Sequence, residues 1–355
     1  MADKEVFDIA VIGLGPAGAT FARLLNSSLK IIALDKKDGT GNSFRKPCGG
    51  LLAEDAQKCF AMFGLPLPVS VLVNPQVFAV RTVDLATGNE RHYQRFYLNM
   101  DRHKFDCWLK SLIKDNVEVH NGVSVVDFKD MGDCYEISVI ENNVRNTYCA
   151  RYIVGADGAN SVVRHVLFPK HRIRSYLAIQ QWFLAKHGAP TYSCFFDKTL
   201  TDCYSWGVSK DDYFILGGAF PLKGARDRFR KLKEKLTEYG LKLNSPEKTE
   251  TCLVLSPRHP WQFRIGKGRC FLIGEAAGFI SPSSLEGMSY AFNSAYLLAE
   301  LFNHRPEVTL KDYSRATRLL RGKLILKLLK KPFIMRHFLR NLIMQSGLSS
   351  LKRAE

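Results

Sequence analysis

The chain has 355 residues, 46% apolar and 24% charged, an ordinary balance for a globular protein with one large or two modest domains. No apolar run reaches the ~18 residues that span a bilayer, and the opening MADKEVFDIAVIG puts acids where a secretory leader needs bases. A cytoplasmic location is therefore expected, and nine scattered cysteines without CxxC or zinc spacing argue against a disulfide framework or a metal site.

In chain order, an apolar strand at 7–13 runs into a glycine turn, a helix to about Asn26 and a second strand at 30–34. A Gly/Lys/Pro-rich loop covers 36–52, and a short helix follows at 54–63. Residues 75–98 alternate apolar and polar and read as strands, while 102–114 carries Phe105, Trp108, Leu109 and Leu112 at helical spacing. Four short strands are expected over 117–152, another at 152–156, and mainly strands over 173–254 around a charged helix at 225–239. A buried strand at 270–273 and a helix at 284–301 precede a basic helical remainder. The class is α/β: a Rossmann-type dinucleotide-binding domain interleaved with a mixed-sheet substrate domain, then C-terminal helices. The expected segments are 1–74, 99–168 and 267–302 for the nucleotide, 75–98 and 169–266 for substrate, and 303–355 for the basic region.

Gly13, Gly15 and Gly18 form G-x-G-x-x-G between strand and helix. The first suits a tight turn, the second a close approach to a diphosphate, the third helix–strand packing. Pro16 and Ala17 complete the turn into the helix, whose N-terminal amides favour negative charge. Asp35 ends the second strand where an acid accepts from a ribose, with Lys36 beside it. Two later segments also end strands in glycine: IVGADGANS with Asp157 and Gly158, and CFLIGEAAGFISPSSLEGMS with Gly274, Glu275, Pro282, Gly287 and Met288. Val125 is assigned to the cofactor with them.

These segments resemble the flavoprotein hydroxylases and, more narrowly, the geranylgeranyl reductase family of FAD-dependent oxidoreductases, with bacterial CbrA-type proteins nearest in pattern. The narrower resemblance rests on KPCGGLL, on CYSWGVSKDDYFILGGAF and on GEAAGFISPSSLEGMS, and it spans nearly the whole chain. It implies bound FAD, an acid at Glu275 on the ribitol hydroxyls, and Arg102 on the diphosphate. The group usually has Gly-Asp where this chain has Gly274-Glu275, and Phe-Pro where it has Val208-Ser209 before Lys210. The resemblance further implies that Lys46, Pro47, Cys48, Gly49 and Gly50 lie beside the isoalloxazine. Cys48 is read either as a proton donor or flavin-tuning group, or as a small residue that leaves the ring room. Tyr204 and Trp206, two apart on an expected strand, would share a face and line a substrate slot; Trp182 and Tyr192 are further candidates for that wall. The implied activity is reduction of carbon–carbon double bonds in an isoprenoid or quinone-like lipid, with NAD(P)H or ferredoxin as transient reductant. An FAD-dependent hydroxylase and a non-catalytic flavin-binding envelope-stress factor are the alternatives.

The net charge is +17, and residues 311–355 carry twelve Lys/Arg against two acids. Two helices broken at Pro332 are expected there, with Met335, Phe338, Leu339 and Leu342 on one face and Arg336, His337 and Arg340 on another. That profile fits peripheral contact with an anionic membrane, or a helix packed on the protein with a solvated basic face. No nucleic-acid motif accompanies the charge, so nucleic acid is not expected as a partner.

Overall fold

The computed structural model describes residues 5–37, 46–185, 189–347 and 350–351. Residues 38–45 of the expected loop and 352–355 of the basic tail lie outside the described residues. The chain divides into two compact units: Met1–Arg45, Asp106–Arg174 and Leu255–Leu326 form the first; Lys46–Phe105, Ser175–Val254 and Lys327–Glu355 form the second.

The first unit is built on a parallel sheet. Strand Val6–Ile12 lies between Ile31–Asp35 and Val144–Gly155, parallel to both, and Cys270–Leu272 extends the sheet beyond the latter. Strands buried on both faces need continuous apolar sequence, and VFDIAVI and IIALD supply it. Strands Ser124–Asp130 and Tyr135–Glu141 form an antiparallel meander with Val144–Gly155. Helices Pro16–Leu24 and Met288–His304 bury Phe21, Leu298 and Phe302 against Ile9, Val11 and Phe271. The rings of Phe21 and Phe302 meet edge to face at 6.0 Å.

The second unit is a mostly antiparallel sheet whose successive path neighbours begin with Lys248–Leu255, Ser175–Leu184, Tyr213–Pro221, Ser205–Lys210 and Thr191–Phe196. Val77–Asp84, Glu90–Asn99 and Ser350–Leu351 complete it. Helix Ala225–Glu238 puts Phe229, Leu232 and Leu236 at helical spacing onto Phe195, Leu216 and Phe220. Another cluster joins Val77, Val208 and Ile215 with Tyr97, Trp182 and Tyr192.

The division differs from the expected segments. Residues 46–74 and 99–105 join the second unit because Leu51 and Leu52 pair with Asn99 and Leu98. Residues 255–266 and 303–326 join the first, where the Leu255 amide donates to Glu275 and the Tyr313 hydroxyl to the Leu272 carbonyl. The late helix starts at Met288 rather than near 284, because Ser281–Glu286 is closed into a turn with Leu285 at φ +53°. The 102–114 helix stops at Ser111. The basic region holds three helices among the described residues, Leu310–Ala316, Arg318–Met335 and His337–Ser346. Pro332 lies inside the second, and the break falls at Arg336 instead, whose guanidinium neighbour Arg340 takes the Ile334 and Met335 carbonyls that end the helix.

Trp206 lies opposite Gly217 across the strand pair, and a Cβ on Gly217 would sit 2.4 Å from the indole. Gly217→Ala should therefore force the ring out of place and cost about 1–3 kcal/mol. The check is the urea midpoint, and an unchanged midpoint with an unchanged near-ultraviolet Trp signal would reject this packing.

Candidate functional site

In the first unit, three strand ends come together through glycines. Gly13 turns at φ +91°, and a Cβ there would lie 2.8 Å from the Cα of Asp157. A Cβ on Gly18 would lie 1.9 Å from the Gly13 carbonyl oxygen, and one on Gly274 would lie 2.9 Å from the Ala17 Cβ. The GxGxxG turn, the Asp157 segment and the Gly274 segment thus lie against one another. Gly15 is different: no protein atom stands within 4 Å of where its Cβ would be, and its φ of −72° suits any residue. Nothing in the protein's own packing demands glycine at 15, so the open space there fits a ligand brought close to the backbone.

Asp157 gives one carboxylate oxygen to the Val162 and Val163 amides at 2.7 and 3.3 Å. Its other oxygen, Oδ1, is buried, and burial pushes the carboxyl above its ordinary range, opposed by hydrogen bonds from the Ser161 side chain and from backbone amides. Asp35 is buried, with Oδ2 held by Lys110 Nζ at 2.9 Å. Glu275 Oε1 accepts from the Leu255 amide at 2.9 Å. Gly287 is the N-cap of the Met288–His304 helix, where Glu286 takes both the amide and the hydroxyl of Ser289. Pro16 opens its helix, Pro282 and Val125 are buried, Lys36 is exposed, and Gly158 begins a single 3₁₀ turn.

Sequence reasoning missed Arg164. It is buried, and its guanidinium donates to the Glu275, Ala276 and Ala159 carbonyls. It stitches the second glycine segment to the third. Burial lowers its pKa, opposed by the charges of Asp157 and Glu275. The only sequence signal is a lone cation in the apolar helix VVRHVL.

The remaining candidates belong to the second unit. Arg102 is the first residue of helix Arg102–Ser111, and Lys46 is half-buried. The Pro47 carbonyl accepts from Cys252, and the Cys48 sulfur accepts from the Gly50 amide at 3.5 Å. Gly49 comes near Tyr192, 3.9 Å from its added Cβ to the ring. Tyr204 precedes strand Ser205–Lys210 by one residue and Trp206 lies within it; both are buried, with rings 6.1 Å apart. The Tyr192 hydroxyl hydrogen-bonds that of Tyr204, and Tyr97 stands 6.1 Å from Tyr192. Burial pushes both Tyr192 and Tyr204 well above the ordinary phenol value, so they stay neutral and able to donate. The buried Trp206 N–H has no acceptor among the described residues.

Lys210 ends the Trp206 strand and was read only as a motif match. Its ammonium is buried and donates to the Gly50 carbonyl at 3.2 Å, the Met100 carbonyl at 2.7 Å and Asn99 Oδ1 at 2.5 Å. It therefore holds the glycine loop that carries Cys48. Burial lowers its pKa from 10.5 to about 7, opposed by Cys48, Asp101 and Asp211. Between about 7 and 10.5 the unfolded chain binds the extra proton, so this group makes stability rise with pH through that window. Urea denaturation from pH 7 to about 9.5 should show that rise in the wild type and a flatter profile in Lys210→Met. Parallel profiles would remove the buried titration.

No family model matches the chain. It is 50% identical over 348 residues to Protein CbrA of Escherichia coli O157:H7, covering 98% of both chains. Among solved structures it superposes on a geranylgeranyl bacteriochlorophyll reductase-like protein from Thermoplasma acidophilum with a TM-score of 0.73, at 21% identity, over 98% of this chain and 89% of that one. It superposes equally, at 0.73 and 16% identity, on pqsL, a probable FAD-dependent monooxygenase from Pseudomonas aeruginosa, over 97% of this chain and all of the other. The two structures establish a shared fold, that of flavoprotein reductases and monooxygenases. With half its residues shared along almost its entire length, the chain belongs to the CbrA family.

Proposed function

We propose that the chain is an FAD-dependent oxidoreductase that reduces carbon–carbon double bonds of an apolar isoprenoid or quinone-like molecule. The observation that carries the cofactor is Gly15, open on its ligand side between two glycines packed against backbone. Around it, the N-terminus of helix Pro16–Leu24 suits a diphosphate, Asp35 a ribose, and Glu275 the ribitol. Bound and reduced, FAD supplies a hydride. The transient electron source in this reading is NAD(P)H or ferredoxin.

The chain's own residues supply the rest. Arg164 and the three glycines hold the strand ends in register. In the second unit, neutral Tyr192 and Tyr204 offer hydrogen bonds without charge, and Tyr97 and Trp206 give an apolar aromatic lining. Hydride reduction of an alkene also takes up one solvent-derived proton at the second carbon, while the buried phenols, holding their own protons tightly, orient a polar group by hydrogen bonding. The Tyr-x-Trp pattern and these phenols favour the reductase reading over hydroxylation; the fold comparison does not choose between them.

Gly15→Ala should keep its melting temperature within a few degrees and lose flavin occupancy by about tenfold or more, read from the visible absorption of purified protein. Retained yellow colour in that variant would defeat the cofactor reading. For the reaction, wild-type protein reduced without oxygen is mixed with a polyprenyl lipid or a quinone. Reoxidation together with a saturated or reduced product supports reduction, whereas an absolute need for oxygen makes the enzyme a hydroxylase.

A further inference from the structure

The last two helices expose an apolar face, and a buried ion pair sets which face that is. Asp84 is fully buried in its strand. Its Oδ2 receives Arg340 Nη2 at 2.6 Å, Arg340 Nε at 3.1 Å and His337 Nδ1 at 2.9 Å. The same guanidinium lies 4.5 Å above the Phe196 ring and takes the carbonyls that end helix Arg318–Met335. The polar side of helix His337–Ser346 is thereby turned inward. Its opposite side presents Phe338, 71% exposed, and Leu342, 49% exposed, four residues apart. In the preceding helix Leu329 and Phe333, 64% and 53% exposed, repeat that spacing. Each pair lies on one side of its helix, and grouped exposed apolar side chains, unlike single ones, mark an interaction surface.

We propose that this face docks on an anionic lipid bilayer, lying in the interface with Leu329, Phe333, Phe338 and Leu342 among the acyl chains. Charge selects the occupant. Lys330 and Arg336 are exposed beside these residues, and no acidic residue occurs between Asp312 and Glu355. Lipid phosphates answer the cations while acyl chains cover the apolar residues. A second copy across a two-fold axis would bring like cations together, and nucleic acid would leave the apolar side chains uncovered. No helix among the described residues is long and apolar enough to cross a membrane, so the helices lie on the surface. Of the polar face expected from the sequence, Arg336, His337 and Arg340, the structure gives His337 and Arg340 to Asp84 and leaves Arg336 exposed, with Lys330 exposed on the preceding helix.

The experiment is flotation of the purified full chain with phosphatidylcholine vesicles, with and without phosphatidylglycerol. The protein should float only with the anionic vesicles and be released by salt. Phe333→Ser with Phe338→Ser, and separately Lys330→Gln with Arg336→Gln, should each weaken partitioning by roughly tenfold or more, without a change in melting temperature. Leu at both Phe positions should retain binding. Equal binding to both vesicle types, or variants that float like wild type, would overturn the proposal. So would a dimer by analytical ultracentrifugation that the Ser pair converts to monomer while flotation stays unchanged.

Discussion

Backbone lying against backbone at the carboxyl ends of the parallel strands is what the first unit depends on. Any side chain at 13 or 18 would collide with the Asp157 segment or with the Gly13 carbonyl. The strand ends would separate, and the helix N-termini at Pro16 and Met288 would no longer be held on one unit's sheet in their present register. The contact is expensive in conformational freedom, because glycine loses more of it on folding than other residues. That loss is offset by the buried helices, whose Phe21, Phe302 and Tyr313 rings pack with one another and with Phe271 of the sheet. Position 15 stands outside this logic, and that exception is why it points to a ligand.

Much of this was legible in the sequence, for a physical reason. A parallel strand buried on both faces must be apolar throughout, and a turn that brings backbone onto backbone must use glycine at set intervals. Both constraints act within about thirty residues, so they leave a readable pattern at 6–35. Arg164 left only a cation in an apolar helix, since its partners are carbonyls of residues 159, 275 and 276, and a carbonyl has no residue type. The start of the late helix differs for another reason: residues 281–286, SPSSLE, suit a helix N-cap as well as a turn, and the closed turn through Leu285 decides for the turn.

The basic tail shows a different limit. Periodicity grouped part of its faces as the structure has them: Arg340 and His337 meet at Asp84 and Phe338 and Leu342 are both exposed, while Met335 ends the preceding helix, Leu339 is half-buried and Arg336 stands apart from the ion pair. It could not tell which face turns inward. Usual practice puts the apolar face inside, and here a carboxylate 256 residues earlier in the chain reverses it. An unpaired charge at Asp84 would cost several kcal/mol. Arg340 and His337 answer it, hold the carboxyl below its ordinary range once the burial penalty is overcome, and fix the helix polar side inward. Specificity of orientation comes from the ion pair, which leaves Phe338 and Leu342 pointing away from Asp84.

The second unit's polar groups narrow the kind of molecule its aromatic residues suit. Tyr192 and Tyr204 are held neutral by burial, so they donate and accept hydrogen bonds without presenting charge. Lys210 is the one cation on the strand that carries Trp206, and its three ammonium protons go to Gly50, Met100 and Asn99 oxygens. It has none left for an anionic head group. As the pH rises through about 7 it loses a proton, and one of those bonds must be given up. The lysine thus acts on the loop that carries Cys48 rather than on a bound molecule. Phenols that do not ionise, an indole N–H without an acceptor among the described residues and a cation already spent leave the proposed reading with an uncharged apolar molecule rather than an anionic one.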